Sequence, residues 1–342
     1  MKGSWRSALS PADILPPERT TRSPRAWLSL AVRLTLGISA LVFALQGVDL
    51  EALTQTLSAL NPLWLAITLL AVLTSIGIKF WRWELLVRPV CPQQSSINIL
   101  RALLLGQSAN IVLPLRGGDL VRAAVLAPSG GRLAAVLAIT VVEKALDLIA
   151  LGLAAAAAML ISWPGLAPVS WLGTLLVGLA LLLAALGLMS SLDGLWARLR
   201  PGLERLPANI AEKMQTWGDG LVDGIGHLRR ARRMPPVIAL TLLSWLVMFS
   251  INIALLKSLA IHAPAGAALL VLVLVHIGVI PALMPGNIGP FYFFARLALS
   301  TYGISAAAST GFAVVLHAII TLPPMIGAGL SLLLSKTPGK RA

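Results

Sequence analysis

The chain has 342 residues, 57% of them hydrophobic and 12% charged, with a formal net charge of +14 and a mean hydropathy of +0.87. A soluble domain carries roughly 25% charged residues, so the composition excludes an ordinary water-soluble fold and points to a bilayer. The positive excess would suggest nucleic acid in a soluble protein, but here the basic residues sit in loops between apolar runs. That is the pattern of positive-inside orientation and headgroup contact, and no nucleic-acid partner is expected.

Residues 1–25 hold Lys2, Arg6, Arg19, Arg22 and Arg25 and read as a basic, cytoplasmic N-terminal segment. The apolar run behind them exceeds the ~7–15 residues of a signal peptide, and Phe43-Ala44-Leu45-Gln46-Gly47 is a poor cleavage site. An uncleaved first helix over 26–46 is therefore expected. A crossing needs about 20 apolar residues, and further crossings are expected over 61–81, 133–161, 167–189, 236–258 and 307–335. The transmembrane domain thus spans 26–335, with a cytoplasmic tail over 336–342.

Two more apolar stretches, 97–126 and 265–303, are broken. Pro114, Gly117 and Gly118 interrupt the first; Pro281, then Pro285, Gly286 and Gly289, interrupt the second. Proline removes a helix donor and glycine loosens the backbone. Loop charge sets the orientation. Asp49 and Glu51 place the 47–60 loop outside, whereas Lys79, Arg82, Arg88 and Arg101 return the chain inside. The basic loop over 190–235, with Arg229, Arg230, Arg232 and Arg233, and the tail, with Lys336, Lys340 and Arg341, are also inside. Lys257, near an outer end, is out of place. Both ends of the first broken stretch are then cytoplasmic and both ends of the second external.

Each broken stretch reads as a re-entrant helical hairpin, since irregular backbone at membrane depth must be satisfied by protein or water. Opposed broken segments of this kind build midplane sites in inverted-repeat transporters. Pairs of short, kinked crossings are the plainer alternative. The expected fold is an all-α polytopic membrane protein with about six crossing helices, two opposed re-entrant hairpins and an inverted pseudo-repeat. Within the 190–235 loop, Glu204 to Leu228 has the pattern of an amphipathic surface helix, with Ile210, Met214 and Trp217 on one side, and reads as a tether and surface anchor.

Of thirteen acidic residues, three fall where burial is expected: Asp119, Glu143 and Asp147. The last two are four apart and share one helix face, roughly 16 and 22 Å into their helix. A charge there costs at least ~2.5–3.5 kcal/mol, so a partner is expected among Arg116, Arg122 and Lys144. The plain reading is an ion pair that locks helices together; the functional one is a site. Arg296, His276 and His317 also lie inside apolar runs, where a lone histidine more often bonds a neighbouring helix than relays a proton.

Catalytic motifs are missing: there is no H-E-x-x-H, G-x-S-x-G or P-loop, and Cys91 is the sole cysteine. No enzyme activity, metal or cofactor is expected. Asp193-Gly194-Leu195-Trp196-Ala197-Arg198 opens like a CDP-alcohol phosphotransferase signature, but the later Asp219 and Asp223 lie too far away, and the match reads as chance.

Three ordered segments carry a resemblance. They are Asn110 to Ala123 (N-I-V-L-P-L-R-G-G-D-L-V-R-A), Glu143-Lys144-Ala145-Leu146-Asp147-Leu148, and Pro285-Gly286-Asn287-Ile288-Gly289-Pro290-Phe291. Together they resemble the N-x-x-L-P-x-R-x-G-E-x-x-R-A, E-R-x-x-D-L and P-G-G-x-G-x-F segments of the lysylphosphatidylglycerol synthase/flippase membrane domain family. The resemblance implies lipid headgroups as partners, a bacterial inner-membrane location, and translocation or export of an anionic or polyprenyl-linked lipid; the loop charges already place both termini in the cytoplasm. It covers the membrane region only, with no aminoacyl-transferase domain. Arg116, Asp119, Arg122, Glu143, Asp147, Arg296 and His317 become candidate substrate-binding or translocation residues. Tyr292 and His317 depart from the family pattern, which more often has Glu and Arg there. The other reading is a non-catalytic accessory subunit of a membrane glycosyltransferase or lipid-modifying enzyme.

Overall fold

The computed structural model describes residues 35, 39, 42, 49–113, 117–127, 130–162, 191, 193–203, 207–230, 233–280 and 285–335. The expected crossings over 26–46 and 167–189 lie almost wholly outside these residues, as do Pro114, Arg116, Pro281 and the 336–342 tail. Every described element is helical.

Helix starts follow the local chemistry. The loop expected over 47–60 contains a short helix, α1 (Leu50–Ser58), whose N-cap Asp49 accepts from the Glu51 N–H. Asn61 caps α2 (Pro62–Val87) by accepting from the N–H groups of Leu63 and Trp64, and Pro62 occupies the first turn, where no donor is needed. Ser95 caps α3 (Ser96–Val112). There follow α4 (Gly118–Leu126), α5 (Gly130–Ser162), α6 (Ala208–Arg230), α7 (Met234–Ser258), α8 (Ala265–Gly278), a 3-10 turn at Pro285–Asn287, α9 (Ile288–Ser300) and α10 (Ala306–Ser335).

Among the described residues, four helices are long and apolar enough to cross a bilayer: Pro62–Val87, Arg132–Ile161, Met234–Ser258 and Ala306–Leu334. Lys257, the misplaced charge, sits 4.5 Å from the centre of the Trp64 ring, a cation–π contact that accommodates it beside an apolar helix. The two broken stretches make shorter helices of 17 and 9 residues and of 14 and 13 residues. At 1.5 Å per residue, each is shorter than a hydrocarbon core of about 30 Å.

Both broken stretches fold back on themselves. In the first, Gly106 of α3 faces Arg122 of α4, and Asn110 faces Gly118. A methyl on Gly106 would lie 2.7 Å from Arg122 Cβ and 2.9 Å from the Gly118 carbonyl, so the two backbones meet only because both positions are glycine. Asn110 Oδ1 closes the turn by accepting from the Gly118 N–H at 2.9 Å. In the second, Gly266 faces Tyr302 and Gly278 faces Phe294, which sets α8 and α9 antiparallel.

Among the described residues, most of the buried apolar side chains fall into two clusters. One gathers α8, α9 and the first half of α10 around Val72, Ala150, Leu151, Trp245 and Leu255. The other gathers α3 and α4 around Trp83, Leu86, Val87, Val136, Leu146 and Val237. Helices α2, α5 and α7 therefore run through both, and each broken stretch belongs to one. The amphipathic helix expected in the basic loop is α6, which packs on α5 through Gly224 and Ile225. Its Ile210, Met214 and Trp217 remain exposed.

Candidate functional site

Where the two clusters meet, the three through-going helices each contribute a polar side chain. Arg82 lies on α2 just before Trp83, Asp147 on α5 between Leu146 and Ala150, and Thr241 on α7 between Val237 and Trp245. Arg82 is 2% exposed. Its guanidinium donates to Glu143 Oε1 at 2.8 Å, to Asp147 Oδ1 at 2.7 Å and to Thr241 Oγ1 at 3.1 Å. Arg122, also buried, donates to the other oxygen of Glu143 at 2.7 Å and lies 3.7 Å from the centre of the Trp83 ring. Asp119 completes the set, 3.5 Å from Arg122 and 3.7 Å from Lys144.

Three carboxylates thus face three cations: Asp119, Glu143 and Asp147 against Arg82, Arg122 and Lys144. Burying charges is tolerable only with this degree of pairing and hydrogen bonding. Guanidinium suits the task because its planar fork engages two acceptors at once. Each arginine still keeps one buried donor, Nε, without a hydrogen-bond partner.

Beside the network lies a cavity of about 380 Å³. Both broken stretches reach it: Gln107, Asn110 and Ile111 from α3, Gly286 and Asn287 from the 3-10 turn. The turn also packs directly on α3. Gly286 has φ +67° and Asn287 φ +52°, left-handed conformations that glycine and asparagine take most easily. Lys79 and Lys144 line the same space, with Ser75 and Asn252. Ser75 Oγ, Asn252 Oδ1 and Asn287 Oδ1 are buried and lack hydrogen-bond partners. Apolar walls come from Val72, Ile251, Val271, Phe291, Leu316 and others.

His317 borders the cavity. Its ring stacks on Phe291 with centroids 4.7 Å apart and hydrogen-bonds the Gly286 backbone, so it holds the second break in place. Further along α10, Pro323 and Pro324 sit within the helix. Proline removes the donors that would bond the Ile319 and Ile320 carbonyls, and Ser108 of α3 donates to the Pro324 carbonyl at 3.1 Å. Arg296 is half-buried on α9 and is not among the residues lining the cavity. Gly117 caps α4, and Gly289 is buried in the first turn of α9. His276 packs against Trp245 at the cavity wall. Among the described residues no three His, Cys, Asp or Glu side chains converge on a metal position. Cys91 is buried between α2 and α3, and that burial pushes its thiol pKa up.

The family model described as "Lysylphosphatidylglycerol synthase TM region" matches residues 30–328. The chain belongs to that family. No curated protein matches it in a sequence comparison. Membership makes this a lipid-related membrane domain of the lysylphosphatidylglycerol synthase type. Within that domain, the three segments singled out in the sequence converge: Asn110, Lys144 and Gly286 line one cavity. Arg122 pairs with Glu143 as expected. The position of Arg116 lies outside the described residues. Arg82, which loop charge places at the cytoplasmic surface as an orienting charge, is instead buried at the centre of the network. The signal was present: Arg82 stands in Phe80-Trp81-Arg82-Trp83, where the helix still has five residues to run.

Proposed function

We propose that the protein is a non-enzymatic lipid translocase or lipid-export facilitator of the bacterial inner membrane, acting on an anionic or polyprenyl-linked lipid. One observation supports this most: an amphiphilic cavity with basic and amide groups beside apolar walls, reached by both broken stretches. In this reading the stretches are re-entrant hairpins entering from opposite faces, and the termini are cytoplasmic. The headgroup would occupy the polar cavity while acyl or prenyl chains stay in lipid. Opposed hairpins could then expose the site to each face in turn. Glu143 and Asp147 would position the arginines rather than touch the lipid.

The test is reconstitution. Vesicles containing the protein should exchange a labelled anionic phospholipid between leaflets faster than protein-free vesicles. Glu143→Gln, inserted to the same level, should lose most of that excess. Equal exchange with and without protein over a panel of anionic and polyprenyl-linked lipids would defeat the reading.

The accessory-subunit reading draws on a different feature, the exposed Ile210, Met214 and Trp217 of α6. It predicts that Trp217→Glu is the damaging change and that Glu143→Gln is silent in the cell.

A further inference from the structure

We infer that the cavity takes lipids whose phosphate carries a neutral polyol, with Lys79 and Lys144 as the anion receptors, and that it rejects headgroups bearing an added ammonium. This deepens the lipid-handling reading above and rests on it. The argument is one of charge left over. Both buried arginines are already committed: Arg82 bridges Glu143 and Asp147, and Arg122 engages Glu143. They hold the frame together, and neither is among the residues that line the cavity.

The lysines differ. Lys144 is 3.7 Å from Asp119, with its side chain 38% exposed, a loose pairing. Lys79 makes no ion pair with any described residue. Both line the cavity, and no carboxylate lines it among the described residues. The space is therefore net positive, and a compact ammonium is a suitable point receptor for phosphate.

The remaining polar groups fix the rest of the headgroup. Ser75 Oγ, Asn252 Oδ1 and Asn287 Oδ1 are unpartnered, and the first two belong to side chains 4% exposed. Buried polar atoms of this kind lose stability unless something bonds them. Hydroxyl groups of a glycerol or sugar donate to such acceptors without bringing charge. An aminoacyl ammonium would instead enter beside two lysines in a space that no carboxylate lines among the described residues, although the family takes its description from an aminoacylated lipid. A cavity of about 380 Å³ has room for a phosphate and a small polyol, not for the hydrocarbon chains.

The experiment is binding to the purified full chain by native mass spectrometry, with four probes: phosphatidylglycerol, a polyprenyl-phosphate sugar, lysyl-phosphatidylglycerol and soluble glycerol 3-phosphate. The first two should bind, and lysyl-phosphatidylglycerol should bind at least about tenfold more weakly. Lys79→Gln should weaken phosphatidylglycerol binding about tenfold, and Lys79→Arg should restore most of it. Asn287→Gly, which keeps the left-handed backbone and removes the amide, should weaken it severalfold. Lysyl-phosphatidylglycerol binding as tightly as phosphatidylglycerol overturns the inference, and so does an unchanged Lys79→Gln. Glycerol 3-phosphate binding as tightly as the lipid overturns its lipid part. The probe panel needs only wild type, so it decides even where a variant fails to fold. The expected binding pattern without leaflet exchange sinks the translocase reading and leaves the headgroup assignment standing; exchange with indifferent lysines does the reverse.

Discussion

Arg82 is one side chain with three acceptors on two other helices, and its removal leaves two carboxylates short of a cation. Breaking a buried pair by deleting one partner costs about 3–5 kcal/mol. Arg82→Ala should therefore lower the stability of the purified protein by that order in a thermal or denaturant titration. Arg82→Lys should recover only part, because an ammonium cannot span Glu143 and Asp147 as the fork does. Equal stability of wild type and Arg82→Ala would mean that the network is incidental. Cys91 offers a second check at this scale. It is 5% exposed, and its raised thiol pKa holds it as the unreactive thiol. A maleimide should label it slowly in the folded protein and at once after unfolding; rapid native labelling would contradict its placement. The acidic pair was legible because charges in an apolar run are rare and expensive. Arg82 was misread because proximity to a helix end looks the same in sequence whether a side chain reaches water or turns inward.

The folded-back stretches depend on small residues where backbones touch. A methyl at Gly118 would collide with the Gly106 carbonyl and with Asn110, and Gly118→Ala should reduce the yield of folded protein far more than Gly152→Ala, which meets open space. At the second break the constraint is conformational. Gly286→Ala would place a Cβ at φ +67°, costing roughly 1–2 kcal/mol, measurable as a lowered thermal midpoint. A neutral outcome at both positions would undo the account of the turns. The breaks themselves were visible as proline and glycine clusters, and the helix limits observed lie close to those expected. The contacts between the two broken stretches were not visible. No local pattern announces that the 3-10 turn at Pro285–Asn287 will pack on α3, because that meeting is settled by side chains distant in sequence. Pro323 and Pro324 were plain to see yet passed over, since their effect depends on Ser108 of another helix.

At the scale of the molecule, the orientation inferred from loop charge awaits a direct test. In a cysteine-free background, Ile97→Cys at the start of α3 should be labelled only from the cytoplasmic side of sealed vesicles. Pro264→Cys, before α8, should be labelled only from the other. Labelling of both from one side would rule out hairpins that enter from opposite faces. The long helices also have a bearing on permeability. Charged groups halfway along a membrane helix invite water, and a continuous file of water would let protons and ions through. Here Arg82, Glu143, Asp147 and Thr241 lie between two separate apolar clusters, an arrangement expected to deny such a file a continuous path. Vesicles carrying the protein should hold a pH gradient as well as empty ones, so the chain can keep a polar compartment inside the membrane and still be an electrical insulator.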